Sequence, residues 1–240
     1  RHFAILKERR ISYPKDSQEQ QAIGEVLRRA EHALSRQALL QEKAIAIKQA
    51  AMRELFTRGL RGEAQKETEI GLVPESWRVT TFAAVRKRLQ YGTSTRCSPS
   101  RAQYPVLRIP NVEPGRVNAA DLKYCELPTA ECEKYRLIDG DLLFIRTNGV
   151  LERLGSCAVY AGEPAGALFA SYLIRAQLKP NHEPRYVAYF YGSELGTSLV
   201  AGRATPAADG KYNLNTGTID SLPLALPATI EEQRDIVAIL

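Results

Sequence analysis

One ten-residue segment occurs twice in this chain, and the duplication restricts its architecture more than any other feature. Pro14-Lys15-Asp16-Ser17-Gln18-Glu19-Gln20-Gln21-Ala22-Ile23 returns as Pro227-Ala228-Thr229-Ile230-Glu231-Glu232-Gln233-Arg234-Asp235-Ile236, 213 residues further on. In this register proline, glutamate, glutamine and isoleucine coincide, as do Leu27 and Leu240. Apolar residues also match at Ile11 with Leu224 and at Val26 with Ile239. Each copy reads as the end of an extended segment, a proline stop and the start of an amphipathic helix. Solenoids repeat every 20–50 residues or so, so a period this long implies instead a large module used twice. Arg1 begins in mid-pattern and Leu240 falls inside a helical one. The expectation is one whole module with partial neighbours.

Residues 17–57 have every mark of a single long helix. Asp16 or Ser17 can cap it, and with Asp16 as N-cap, Glu19 sits where a capping box needs it. No proline interrupts the stretch, and Gly24 is its one weak point. Ile23, Val26, Ala30, Ala33, Leu40, Ala44, Ile47 and Ala51 occupy a and d positions of one heptad frame, broken only by Gln37 and Glu54. Leu27, Leu34 and Leu55 widen the stripe. Arg58-Gly59-Leu60-Arg61-Gly62 then supplies basic charge and glycine at the helix end. Forty residues at ~1.5 Å each give a rod of about 60 Å, longer than the roughly 30–40 Å diameter of a domain of about 150 residues. The stripe therefore calls for a second helix. The expected pairing surface is Ile23, Val26, Leu27, Ala30, Leu34, Leu40, Ala44, Ile47, Ala51 and Leu55, with self-association through residues 17–57 unless another chain covers it.

Beyond a charged linker at 63–69, Ile70-Gly71-Leu72-Val73-Pro74-Glu75-Ser76-Trp77 opens a second region. From 79 to 226 short β-like runs alternate with Gly, Pro and Asn: Val106-Leu107-Arg108-Ile109, Leu142-Leu143-Phe144-Ile145, Ala158-Val159-Tyr160 and Ser171-Tyr172-Leu173-Ile174. Pro184 to about Val200 reads as one helix weakened by Gly192 and Gly196. The fold class is α+β, a globular mixed α/β domain attached to a long coiled-coil-forming helix.

Several chemistries are unsupported. The four cysteines form no CxxC pair and none of the three histidines sits at ligand spacing from one, which indicates no metal and reduced thiols in an intracellular, cytoplasmic protein. No run of about 18 apolar residues spans a membrane. GxxxxGK[ST], GxGxxG, HExxH and GxSxG are all absent, as is the Asn-Pro-Pro or Asp-Pro-Pro turn of base methylation. No catalytic residue and no cofactor is expected. What remains is positive charge, 33 Lys+Arg against 27 Asp+Glu, which favours a polyanionic partner. Polar-basic segments go with it: Arg86-Lys87-Arg88, Tyr91-Gly92-Thr93-Ser94-Thr95-Arg96, Arg146-Thr147-Asn148-Gly149 and Lys211-Tyr212-Asn213-Leu214-Asn215. Arg presents a planar fork to guanine, Asn pairs with adenine, and Ser, Thr and Lys hold phosphates.

At these segments the chain resembles the specificity subunit of type I restriction-modification enzymes. The resemblance rests on the Ile70–Trp77 segment, on Leu107-Arg108-Ile109-Pro110-Asn111-Val112, and on Gly140-Asp141-Leu142-Leu143-Phe144-Ile145-Arg146-Thr147-Asn148-Gly149. Asn213-Leu214-Asn215 ahead of Leu222-Pro223-Leu224-Ala225-Leu226-Pro227, and the two Pro…Glu-Gln…Ile helix starts, follow in that family's order. The resemblance implies a tail of a preceding target-recognition domain at 1–13, a spacer helix at 14–62, a linker at 63–78, a target-recognition domain at 79–226 and the start of a second spacer helix at 227–240. It implies partners as well: double-stranded DNA, of which the domain reads half of a bipartite site, and methyltransferase subunits that bring a restriction subunit. The expected DNA contacts are Arg86, Lys87, Tyr91, Thr93, Ser94, Arg96, Arg146, Thr147, Asn148 and Lys211. Arg108, Asn111 and Asn213 could equally satisfy buried backbone groups. The competing readings are the recognition region of a fused DNA methyltransferase or restriction enzyme, and a coiled-coil assembly protein that binds no DNA.

Overall fold

The structure, a computed structural model, describes residues 12–240, so the tail expected at 1–13 lies, up to Ile11, outside the described residues. The chain divides into two compact units, 1–48 and 49–240. In the first, Asp16 starts helix α1 (Ser17–Arg58) by accepting the Gln18 N–H on Oδ1 at 3.0 Å. Ile23, Val26, Leu27, Leu34, Leu40 and Ile47 are exposed along it, and so are Ala30 and Ala44.

The last turns of α1 behave differently and belong to the second unit. Ala51 is half-buried, while Met52, Leu55 and Phe56 are buried in that unit's core. Phe56 meets Tyr186 and Phe190 edge-on at 5.6 and 5.4 Å. Leu55, expected to face a second helix, is therefore committed to its own domain, because here the apolar stripe runs into the core. Gly59, at φ 64, then ends the helix by donating its N–H to the Leu55 carbonyl, a left-handed geometry that glycine adopts without cost.

The chain continues through β1 (Gln65–Thr68), β2 (Gly71–Pro74), β3 (Arg78–Thr81), α2 (Phe82–Val85), β4 (Arg86–Tyr91), β5 (Tyr104–Leu107), β6 (Val112–Glu113), β7 (Gly115–Val117) and β8 (Lys123–Cys125). Then come α3 (Thr129–Tyr135), β9 (Leu142–Ile145), β10 (Thr147–Asn148), β11 (Cys157–Val159), β12 (Leu168–Phe169) and β13 (Leu173–Leu178). It closes with α4 (Pro184–Gly192), α5 (Glu194–Ala201), β14 (Thr205–Pro206), β15 (Tyr212–Asn213), α6 (Thr216–Asp220), β16 (Pro223–Leu226) and α7 (Ile230–Ile239).

A six-stranded sheet, ordered β4-β13-β9-β11-β7-β6, forms the centre. Its β9 explains the unbroken apolar run Leu142–Ile145. Successive side chains in a strand point to opposite faces, so Leu142 and Phe144 enter the core under α4 while Leu143 and Ile145 enter a second core with Leu107, Tyr160 and Phe169. The helix expected at Pro184 to about Val200 is two helices. Ser193 caps the second by accepting the Gly196 N–H on Oγ at 3.1 Å, and the turn is so tight that a Cβ on Gly196 would lie 2.1 Å from the Phe190 carbonyl oxygen. The downstream motif copy begins α7, with Thr229 Oγ1 accepting the Glu232 N–H at 3.2 Å.

Candidate nucleic-acid interface

Sheet register decides which polar residues meet. Tyr91 at the end of β4 pairs with Ile174, and Ile145 at the end of β9 pairs with Leu173. The segments leaving β4 and β9 and the one entering β13 therefore emerge at one end of the sheet. Short pairs extend this end: Thr147 with Asn213, and Asn148 with Tyr212. The Leu214 N–H donates to the Arg146 carbonyl at 2.7 Å, bringing the loop of Lys211 alongside.

The turn after β4 depends on Gly92. A Cβ there would lie 2.3 Å from the carbonyl oxygens of Phe169 and Ala170. Because the backbones cross so closely, the Thr93 N–H reaches the Phe169 carbonyl at 2.9 Å and the Ser171 N–H reaches the Thr93 carbonyl at 2.8 Å. Thr93 is itself only 3% exposed. Its Oγ1 donates to Thr95 Oγ1 at 2.8 Å and accepts the Thr95 N–H at 3.1 Å. It shapes the loop largely from within, although it also lines the floor of the groove that Ser94 and Arg96 edge.

Seven of the ten expected contacts come together: Tyr91, Ser94, Arg96, Arg146, Thr147, Asn148 and Lys211. The Arg146 guanidinium lies over the Tyr91 ring, 4.9 Å from its centroid, and donates from Nη1 to the Ser171 carbonyl at 3.3 Å. Tyr91 is held in turn, its hydroxyl accepting the Thr216 N–H at 3.2 Å. Asn148 Oδ1 accepts the Val150 N–H at 2.9 Å. Lys211 is exposed and pairs with Asp209 at 2.7 Å, a hydrogen bond that raises its pKa and lowers that of Asp209. Ser94 and Arg96 edge a groove of about 480 Å³ that also takes in Arg108, Lys123 and Tyr172.

Arg86 and Lys87 stand apart. They begin β4, five and four residues before Tyr91, which at ~3.3 Å per residue is about 13–17 Å away. Arg86 makes a two-pronged bond to Asp220, Nε to Oδ1 at 2.8 Å and Nη2 to Oδ2 at 2.6 Å, and the bond raises its pKa. That pair fastens the end of α6 to β4. Lys87 borders a different groove of about 420 Å³, with Asp139, Lys179 and His182. The physical reason is simple: a strand carries its two ends apart, and the basic run begins β4 while Tyr91 ends it.

Asn111 is a framework residue, 1% exposed, accepting the Arg108 N–H and donating to the carbonyls of Asn118 and Asp121. Arg108 pairs with Asp121 at 2.9 Å. Tyr172, at 58% exposed, and Lys123 belong to the converged surface although sequence reasoning missed them. Tyr172 sits next to an apolar run and reads there as strand; only the register shows that it precedes β13. Burial pushes the Cys125 thiol up to about 11 and raises Cys157 further from ionisation. Among the described residues no group of three His, Cys, Asp or Glu is placed to hold a metal ion, and no helix is long and apolar enough to cross a membrane.

No protein-family model matches the chain. It is 31% identical, over 157 residues, to the type I restriction enzyme EcoKI specificity subunit of Escherichia coli (strain K12), a match covering 65% of this chain and 33% of that protein. Over 179 residues it is 30% identical to a protein of Methanocaldococcus jannaschii provisionally named the type I restriction enzyme MjaX specificity subunit, covering 73% of this chain and 41% of the other. Its fold is similar to that of a chain in a type I R-M system solved to explain complex assembly and conformational transition. The TM-score is 0.56 at 16% identity, over 94% of this chain and 51% of that one. The chain spans between a third and about two-fifths of the length of these two curated relatives.

Proposed function

The chain belongs to the family of type I restriction enzyme specificity subunits, and on that premise we propose that its 79–226 region is a target-recognition domain reading one half of a bipartite DNA site. The observation that carries this reading is the convergence of Tyr91, Ser94, Arg96, Arg146, Thr147, Asn148 and Lys211 on one end of a rigid sheet. Loops fixed at their bases by β4, β9 and β13 can differ in sequence without disturbing the core, which suits a surface whose task is discrimination. Arg, Asn, Ser and Thr are the side chains that read base edges and position phosphates. In this reading the chain performs no chemistry itself. Its long helix serves as a spacer that pairs with a second helix and docks methyltransferase subunits, through which a restriction subunit joins. The apolar residues exposed between Ile23 and Ile47 support helix pairing, because such a stripe costs free energy while it faces water.

The test is duplex binding by the chain as a function of salt. With about four phosphate contacts, affinity should fall roughly a hundredfold between about 50 and 200 mM salt. Binding absent at the lower concentration, or insensitive to salt, overturns the reading and favours a coiled-coil assembly protein.

A further inference from the structure

The buried and half-buried arginines of the recognition domain differ in one respect. Among the described residues between 79 and 226 there are five: Arg86, Arg108, Arg136, Arg146 and Arg175. Four have a carboxylate partner: Arg86 with Asp220 at 2.6 Å, Arg108 with Asp121 at 2.9 Å, Arg136 with Glu133 at 2.7 Å and Arg175 with Asp141 at 3.5 Å. Withdrawing a guanidinium from water is costly unless its charge is met, which accounts for those pairs. Arg146 has none. It has the face of Tyr91 at 4.9 Å and one carbonyl, that of Ser171, at a long 3.3 Å. Its Nε, like those of Arg108 and Arg175, is buried without a partner, and its Nη2 makes no hydrogen bond to the described residues.

Arg146 is also held more firmly than a surface arginine. Its backbone N–H donates to the Tyr172 carbonyl at 3.1 Å and its carbonyl accepts from Leu214 at 2.7 Å, so the Cα is fixed between two loops. The guanidinium carbon lies over the Tyr91 ring, and the Tyr91 hydroxyl is tied to the Thr216 N–H. An exposed cation such as Arg96 suffices to neutralise a phosphate. A planar fork with no carboxylate partner and only one long bond to a carbonyl suits a planar ligand with two acceptors side by side.

We propose that Arg146, oriented by Tyr91, reads a guanine in the major groove through its O6 and N7 atoms, the pattern that a bidentate arginine fits. This rests on the reading of 79–226 as a DNA-recognition domain, and it makes Tyr91 a positioning residue. The test is selection of bound duplexes from a randomised library by the unmodified chain, Arg146→Lys, Arg146→Ala and Tyr91→Leu. Affinities and salt slopes are then measured on the best selected duplex. Lysine keeps the charge but loses the fork. Arg146→Lys should erase a guanine preference at a single position, lower affinity for the best duplex about 5- to 100-fold, and leave the salt slope and the other positions unchanged. Tyr91→Leu should weaken the same position and no other, an outcome that a purely structural role would not produce. Thermal unfolding of Arg146→Lys near that of the unmodified chain confirms that the loss is local. Uniform weakening with every base preference retained, and a salt slope smaller by about one in the alanine variant, makes Arg146 a phosphate clamp and overturns the proposal. Absence of duplex binding by the unmodified chain overturns the domain reading along with it, so the two failures are distinguishable.

Discussion

In the downstream copy of the repeat, Glu232 Oε1 accepts the Trp77 indole N–H at 3.0 Å, Gln233 Oε1 accepts the Glu183 N–H at 2.9 Å, and Ile236 is fully buried. The matching residues of the upstream copy, Glu19, Gln20 and Ile23, are exposed, with Ile23 at 44%. The two helix starts themselves are alike. Asp16 caps one and Thr229 the other, at corresponding positions, each through a side-chain oxygen that accepts a backbone N–H. The motif therefore carries two separable instructions. The cap is local and operates wherever the sequence occurs. The attachment needs a domain surface, here Trp77 and the segment before α4, and operates only where that surface is presented.

The sharpest way to break this comparison is to make one change in both copies. Ile236→Ala should cost about 2–4 kcal/mol of unfolding free energy, because it opens a cavity in a packed core. Ile23→Ala should stay within about 0.5 kcal/mol, as exposed sites do. Trp77 is the only tryptophan in the chain and is buried, so denaturant unfolding followed by its fluorescence reads both. Equal costs would mean that the upstream copy has a packed environment of its own. If Ile23 instead serves helix pairing, Ile23→Asp should reduce self-association in sedimentation while leaving the unfolding midpoint in place.

A smaller difference should come from the glutamines. Gln233→Ala leaves the Glu183 N–H without its acceptor, and an orphaned part-buried donor costs about 1–2 kcal/mol. Gln20 donates to the Pro14 carbonyl at 2.6 Å on an exposed surface, so Gln20→Ala should cost about 0.5 kcal/mol or less. Hydrogen exchange at the Glu183 amide gives the local readout: faster in Gln233→Ala, unchanged in Gln20→Ala. Protection that survives Gln233→Ala would show that the contact is incidental to the attachment.

The same division between local and long-range instruction explains what the sequence disclosed. The helix Ser17–Arg58 was legible because caps, heptad spacing and the Gly59 stop act within a few residues of one another. The strand Leu142–Ile145 was legible as an apolar run, although not that its two faces serve two cores. The split at Ser193 was hidden, because a serine cap and the tight approach at Gly196 depend on how the turn packs. The site divided along similar lines. That Arg146–Asn148 directly follows an apolar strand was legible from composition and order. The strand residues Arg86 and Lys87 lie apart from the other candidates, since charge alone does not say which end of a strand it occupies. Tyr172 and Lys123 joined the surface only through pairings to distant segments, which no local pattern records.

The smallest expected effect concerns pH, and it bears on the downstream attachment alone. His182 immediately precedes Glu183, the residue whose N–H Gln233 accepts. Burial lowers the His182 pKa from its ordinary 6.5, and the nearby positive charges of Arg78 and Lys179 lower it further. The groove beside it also holds Lys87, Asp139 and Asp141. Since the unfolded chain binds this proton more readily than the folded one, stability should fall as pH drops below about 6.5 and level off beneath the folded pKa. Asp141 works in the opposite sense, its pKa raised by burial, so that stability falls as pH rises above its ordinary 3.8. The two are separated by comparing the chain with His182→Gln. The difference in unfolding free energy between the two proteins should change between pH 7.5 and pH 5, with the glutamine variant losing less on acidification. Parallel pH profiles would show that His182 protonates as freely in the folded chain as in the unfolded one, and that the segment gripped by Gln233 is no more sensitive to acid than the solvent-facing copy at Gln20.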